Sequence, residues 1–118
     1  MRPDQIRIVE VGPRDGLQNE GQPLTPQERV ALIEQLADAG LRNIEAGSFV
    51  SPRWVPQMAG SDEVLIALAE RKDLRLPVLV PNKKGYELSR DAGAREIAVF
   101  GAASETFSQR NINCSIAD

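Results

Sequence analysis

Apolar residues change their spacing several times along the chain, and each change marks an element. From Ile6 to Val11 (IRIVEV) four β-branched residues crowd together until Gly12-Pro13 breaks the run, which predicts a strand. Past the following loop the spacing becomes helical. Val30, Ile33, Leu36 and Ala37 recur at that period within TPQERVALIEQLADAG. Thr25 and Glu28 stand at the positions of a capping box, Pro26 suits the first helical position, and Gly40 closes the helix. A short strand is predicted at Asn43 to Ala46. A second helix should start near a Ser61 cap, with Asp62 and Glu63 in its first turn and Val64, Leu65 and Leu68 toward the core.

The run RLPVLV (Arg75 to Val80) predicts a third strand, with Pro77 near its start because proline cannot donate to a ladder. Asn82 can cap a third helix that ends at Ala92-Gly93, and REIAVF (Arg95 to Phe100) predicts a fourth strand. The remainder, GAASETFSQRNINCSIAD, reads as a loop that stops where a fourth helix could begin. The order is βαβαβαβ. An internal echo supports it: DAGLRNIE (Asp38 to Glu45) returns as DAGAREIA (Asp91 to Ala98), so one helix–Gly–strand junction is used twice. Such regularity favours a parallel α/β sheet or barrel. No Gly-x-Gly-x-x-Gly follows the first strand, which weakens a dinucleotide fold. Four βα units make half of a (β/α)8 TIM barrel, which usually takes about 250 residues. With 118 residues the chain reads as one incomplete domain, residues 1–118, truncated after an amino-terminal half.

Composition narrows the function classes. Hydrophobic residues at 42% and charged residues at 26% describe a soluble globular chain rather than a disordered one. The net charge is −3 and the basic residues are scattered, which argues against nucleic acid or an anionic membrane as partner. The longest apolar run, Val64 to Ala69, is far short of a membrane span. The opening MRPDQIRIVEV enters a strand at once, with no room for a leader segment. A single cysteine, Cys114, excludes an internal disulfide and fits a reducing, cytoplasmic setting. There is no histidine, so the commonest general base and metal ligand is missing.

Ligands of parallel α/β folds bind at the carboxyl ends of strands. Arg14 and Asp15 have that address. A fixed guanidinium there can face charge developing on a carbonyl oxygen, and a carboxylate can ligate a divalent cation. The plainer reading is a turn aspartate capping local amides beside an arginine in water. Glu45 alternates with Ile44 and Ala46; if Ile44 faces the helices, Glu45 faces the barrel mouth. A surface glutamate is the alternative. Glu10 fits as a partner for Arg14, Trp54 as a side chain that packs its long loop down or acts as a lid, and Cys114 as an inert thiol.

The stretches VEVGPRDGLQNE, IEAGSFVSPRWVPQM, LVPNKKG and FGAASETFSQRNINCSI together resemble the 3-hydroxy-3-methylglutaryl-CoA (HMG-CoA) lyase family of metal-dependent TIM-barrel lyases. The resemblance runs from Ile6 to Ile116. It implies cleavage of HMG-CoA to acetyl-CoA and acetoacetate with Mg2+ or Mn2+, in leucine degradation, by a homo-oligomer. By position it implies Asp15 as a metal ligand, Arg14 as the group polarising the thioester carbonyl, and Glu45 in the proton chemistry at the tertiary hydroxyl. Gln18 and Ser48 become possible substrate contacts. The family's His-x-His pair, its ligating Asn and its catalytic Cys have no match here, so the divalent-metal site is incomplete in this chain. Two alternatives stay open. One is a non-catalytic half-barrel that self-associates through its strand edges; the other is a related lyase or aldolase acting on another CoA thioester or a 2-oxo acid.

Overall fold

Helix α1, Pro26–Asp38, shows how local chemistry places an element before any tertiary contact exists. In the computed structural model, which describes residues 4–118, both bonds of its capping box are formed. The Glu28 amide donates to Thr25 Oγ1 at 3.1 Å, and the Thr25 amide donates to Glu28 Oε2 at 2.8 Å. Two of the helix's orphan donors are thereby satisfied. Replacing Thr25 with alanine is expected to cost about 1 kcal/mol, read as a lower urea midpoint with an unchanged denaturant slope. (Residues 1–3, on which the leader reading partly rests, lie outside the described residues.)

The buried stripe of α1 is Arg29, Ile33 and Ala37, with Val30 and Leu36 half-buried at its margin. The stripe is therefore turned slightly from the one that apolar spacing alone suggests. The helix ends as expected: Gly40 takes φ +105°, and the Leu41 amide donates to Leu36 O at 3.2 Å. The echo repeats the device. Gly93 takes φ +90°, and the Ala94 amide donates to Ser89 O at 2.9 Å. Both glycines occupy the left-handed region that closes this type of helix end.

Three short parallel strands follow one another across the sheet. They are β1 (Gly47–Ser48), β2 (Val78–Leu79) and β3 (Ile97–Ala98), in that spatial order, with Gly47 opposite Val78 and Val78 opposite Ile97. Pairing extends before β1 through bridges of Ile44 to Glu10 and Asn43 to Arg75, so residues 43–48 run extended as one segment. Pro77 precedes β2, and its carbonyl accepts from the Ala46 amide at 2.9 Å.

The strand expected over Ile6 to Val11 does not form. Only Glu10 pairs, while Ile6 is 86% and Ile8 71% exposed. β-Branched residues prefer a half-covered pleated surface, and nothing among the described residues covers these. The opposite edge behaves alike: β3 is shorter than the predicted run, and Val99 is exposed.

Three further helices complete the described chain: α2 (Ser61–Ala67), α3 (Lys83–Asp91) and α4 (Glu105–Ile112). Asn82 caps α3 as predicted, accepting from the Gly85 amide at 2.8 Å. Ser61 is not a cap. It is the first residue of α2, and Gly60 precedes it as the cap residue. Helix α4 corrects the loop expected after Gly101. Ser104 accepts from the Phe107 amide at 3.1 Å, and Asn113 ends the helix in the left-handed region. Among α4 residues only Ser108 is buried, so the apolar periodicity that reveals a helix is missing.

The core lies on the side of the sheet that carries α1 and α2. Ile33, Ile44, Val64 and Val78 are its fully buried members. The opposite side of the sheet is an open hollow. No helix of the described residues is long and apolar enough to cross a membrane.

Candidate active site

Gly12–Gly16 winds into a single π-helical turn instead of an irregular loop. The Gly16 amide donates to Val11 O at 3.2 Å, and the Leu17 amide reaches Gly12 O. Pro13 is buried, and its missing amide suits the opening of a turn. The Gly12 amide donates to Glu10 Oε1 at 2.9 Å. Glu10 thus satisfies a nearby orphan donor and does not pair with Arg14 as the sequence suggested.

The turn carries Arg14 back over the sheet. Its Nε donates to Glu45 Oε1 at 2.5 Å, joining two residues from separate elements. The carboxylate is there by alternation: Ile44 is fully buried in the core, so Glu45 takes the other face, where it is 7% exposed. A charge-assisted bond between a buried carboxylate and a half-buried guanidinium fixes both side chains, and removing Arg14 leaves the buried Glu45 charge without its partner.

The outer end of the guanidinium is held loosely. Nη1 lies 3.5 Å from Asp15 Oδ1 and 3.5 Å from Gln18 Oε1, at the limit of a hydrogen bond. Asp15 points into solvent, with its side chain 56% exposed. The structure therefore brings Arg14, Asp15, Gln18 and Glu45 together. Ser48 is placed differently. Its amide donates to Ser61 Oγ at 3.1 Å, and it lines a cavity with Met58, Ile66 and Leu88, whereas no hydrogen bond joins it to the Arg14 group.

Glu45 opens onto the hollow opposite the core, a space of about 380 Å³ lined also by Val9, Val11, Asn43, Ile97 and Ala98. Asn43 Oδ1 is buried without a hydrogen-bond partner. A largely apolar hollow with two carboxylates (Glu45 and Glu96, the latter bonded to Arg75), one unmet acceptor and the Arg7 guanidinium in its lining, next to the Arg14–Glu45 bond, can hold and orient a polar acyl group. It cannot by itself hold a divalent cation. Among the described residues no group of three His, Cys, Asp or Glu is placed to do so, and Asp15 alone is too few donors.

Two buried polar residues of this region were not legible as buried from sequence. Arg29 is fully buried in α1, and burial lowers its pKa from the ordinary arginine value. Its spacing from Ile33 and Ala37 was the available signal. Ser61 is the second, a buried hydroxyl that Arg29 reaches. Trp54 departs from expectation in the other direction: it is 70% exposed and does not pack its loop down.

Comparison with known proteins gives a consistent result. The HMGL-like family model matches residues 5–118. The chain is 63% identical over 111 residues to a hydroxymethylglutaryl-CoA lyase of Pseudomonas mevalonii, covering 94% of this chain and 37% of that protein. It is 57% identical over 116 residues to a 3-hydroxy-3-isohexenylglutaryl-CoA/hydroxy-methylglutaryl-CoA lyase of Pseudomonas aeruginosa, covering 98% and 39%. Among solved structures, an HMG-CoA lyase of Acinetobacter baumannii in complex with coenzyme A and 3-methylmalate superposes with a TM-score of 0.90 at 37% identity, covering 97% of this chain and 37% of that one. The βα units described above are thus those of a TIM barrel. The chain spans 37–39% of these relatives' length, less than the half that strand counting suggests.

Proposed function

The chain belongs to the HMGL-like family, and from that premise we propose that it carries the Arg14–Asp15–Glu45 portion of a carbon–carbon lyase site that cleaves HMG-CoA to acetyl-CoA and acetoacetate. The observation that carries the reading is the Arg14–Glu45 bond, because it divides the guanidinium into a fixed end and a free one. Nε is committed to Glu45, while the Nη atoms face outward with only long contacts. Glu45 Oε1 is likewise committed, and no hydrogen bond among the described residues engages Oε2.

In this reading Glu45 takes the proton from the tertiary hydroxyl. The oxygen's electron pair forms the ketone of acetoacetate, the bond between C2 and C3 breaks, and its pair moves into the thioester as an enolate. The free end of Arg14 meets the enolate oxygen, and return of a proton to C2 gives acetyl-CoA. Gln18, beside Nη1, is placed to contact substrate; Ser48 would do so through its hydroxyl, since its amide is taken by Ser61. The proposal includes Mg2+ or Mn2+, with Asp15 as one ligand and further donors supplied outside the residues described here. It also includes a homo-oligomer working in the cytoplasm in leucine degradation, as the family resemblance implies.

The test is a graft. This chain replaces the matching 111 residues of the P. mevalonii lyase, and acetoacetate release from HMG-CoA is measured with and without Mn2+. Metal-dependent release supports the proposal; a folded graft with no lyase activity would sink it. A second reading has its own observation, the isohexenylglutaryl-CoA in the name of the P. aeruginosa relative. Turnover of a longer branched 3-hydroxyacyl-CoA in preference to HMG-CoA would favour that substrate.

A further inference from the structure

Arg29 is fully buried on the inward stripe of α1 and has no carboxylate partner among the described residues. Its Nη1 donates to Ala59 O at 2.6 Å, its Nη2 donates to Ser61 Oγ at 2.9 Å, and its Nε is buried without a partner. An uncompensated cation is costly inside a protein, so its contacts must hold something that apolar packing does not.

What they hold is the segment after β1. Ser61 Oγ donates to Met58 O at 2.8 Å and accepts from the Ser48 amide at 3.1 Å, so one hydroxyl ties the end of β1 to the end of the loop spanning 49–60. Backbone crowds this hub closely. A Cβ added at Gly47 would lie 2.4 Å from Ser61 Oγ and 3.0 Å from Arg29 Nη2. The loop's own side chains anchor it only near its end, where Met58 is buried and Gln57 Nε2 donates to Glu20 O at 2.9 Å; residues 51–54 are exposed and Trp54 stands out in solvent.

We propose that Arg29 is a positioning residue, an internal cation that fastens the 49–60 loop over the carboxyl end of the strand carrying Glu45. The guanidinium grips the loop's last turn from beneath through Ala59 and sets its other end through Ser61 and Ser48. Order in the loop therefore depends on α1 together with Met58 and Gln57, not on contacts made by Trp54. The reaction the loop serves rests on the lyase reading; its tether does not.

The experiment uses this chain without substrate, so it can fail while the lyase reading stands, and the reverse. Arg29 is changed to methionine and to lysine, and tryptic cleavage after Arg53 is timed by mass spectrometry together with the fluorescence anisotropy of Trp54. In the folded methionine variant cleavage is expected to be about tenfold faster, the equivalent of losing one charged hydrogen bond, with lower anisotropy. The lysine variant, able to keep one of the two anchors, should recover part of the protection. A folded methionine variant with wild-type cleavage and anisotropy overturns the proposal. If that variant does not fold, Ser61→Ala decides: faster cleavage after Arg53 supports the tether, and unchanged cleavage overturns it.

Discussion

Changing Arg14 to lysine is expected to lower the rate of acetoacetate release by about 100- to 1,000-fold in the grafted barrel, with a much smaller change in KM. Lysine keeps the charge but not the fork. The arginine reaches Glu45 through Nε and keeps its Nη atoms beyond that bond, with only long contacts to Asp15 and Gln18. A single ammonium can hold the carboxylate or meet the enolate oxygen, but its three protons share one centre. The oxygen's negative charge exists fully only as the carbon–carbon bond breaks, so the loss should fall on kcat. Steady-state kinetics on HMG-CoA check this. A variant that retains kcat while KM rises would show that Arg14 only binds the ground state, and the assigned role would fail.

Truncating Ile44 to alanine should destabilise the chain by about 3–4 kcal/mol. Ile44 is fully buried and sits in the cluster formed by α1, α2 and the sheet. The backbone around it has little freedom to close the resulting void. The Ile44 amide donates to Arg75 O at 2.9 Å, and the neighbouring Glu10 and Glu45 amides bond Asn43 O and Glu10 O. Clamped on both sides, the strand cannot move toward the helices, and the cavity term stays near its full size. Urea unfolding measures the effect. A loss below about 1 kcal/mol would mean that the site collapses readily and that the clamps are weak.

How much of this was readable from sequence depended on the range of the interaction involved. The caps of α1 and α3 were legible because Thr25, Glu28 and Asn82 act within one turn. The repeated Gly40 and Gly93 closures were legible for the same reason. The placement of the candidate residues was partly legible: Arg14 and Asp15 lie on one short turn, and alternation sends Glu45 to their side of the sheet once Ile44 faces the helices, while Gln18 entered only through the family resemblance. A strand, by contrast, exists only with its neighbours, so Ile6 and Ile8 carried the right propensity in the wrong surroundings. Helix α4 was hidden because almost none of it is buried. Arg29 was passed over and Trp54 misjudged, both by residue type. A cation on an inward stripe is ordinarily counted as surface, and an indole in a loop is ordinarily counted as packing.

In this sheet, order in space repeats order in the chain: the segment at Glu10, then β1, β2 and β3. Among the described residues each unit docks on the one synthesised just before it, and no strand is inserted between two earlier ones. Entropic loss on pairing is then confined to the short crossover between neighbours, which favours rapid assembly. Growth can proceed vectorially during translation. A nascent chain that has exposed little more than its first fifty residues already holds both partners of the Arg14–Glu45 bond, so that bond can form before β2 has left the ribosome.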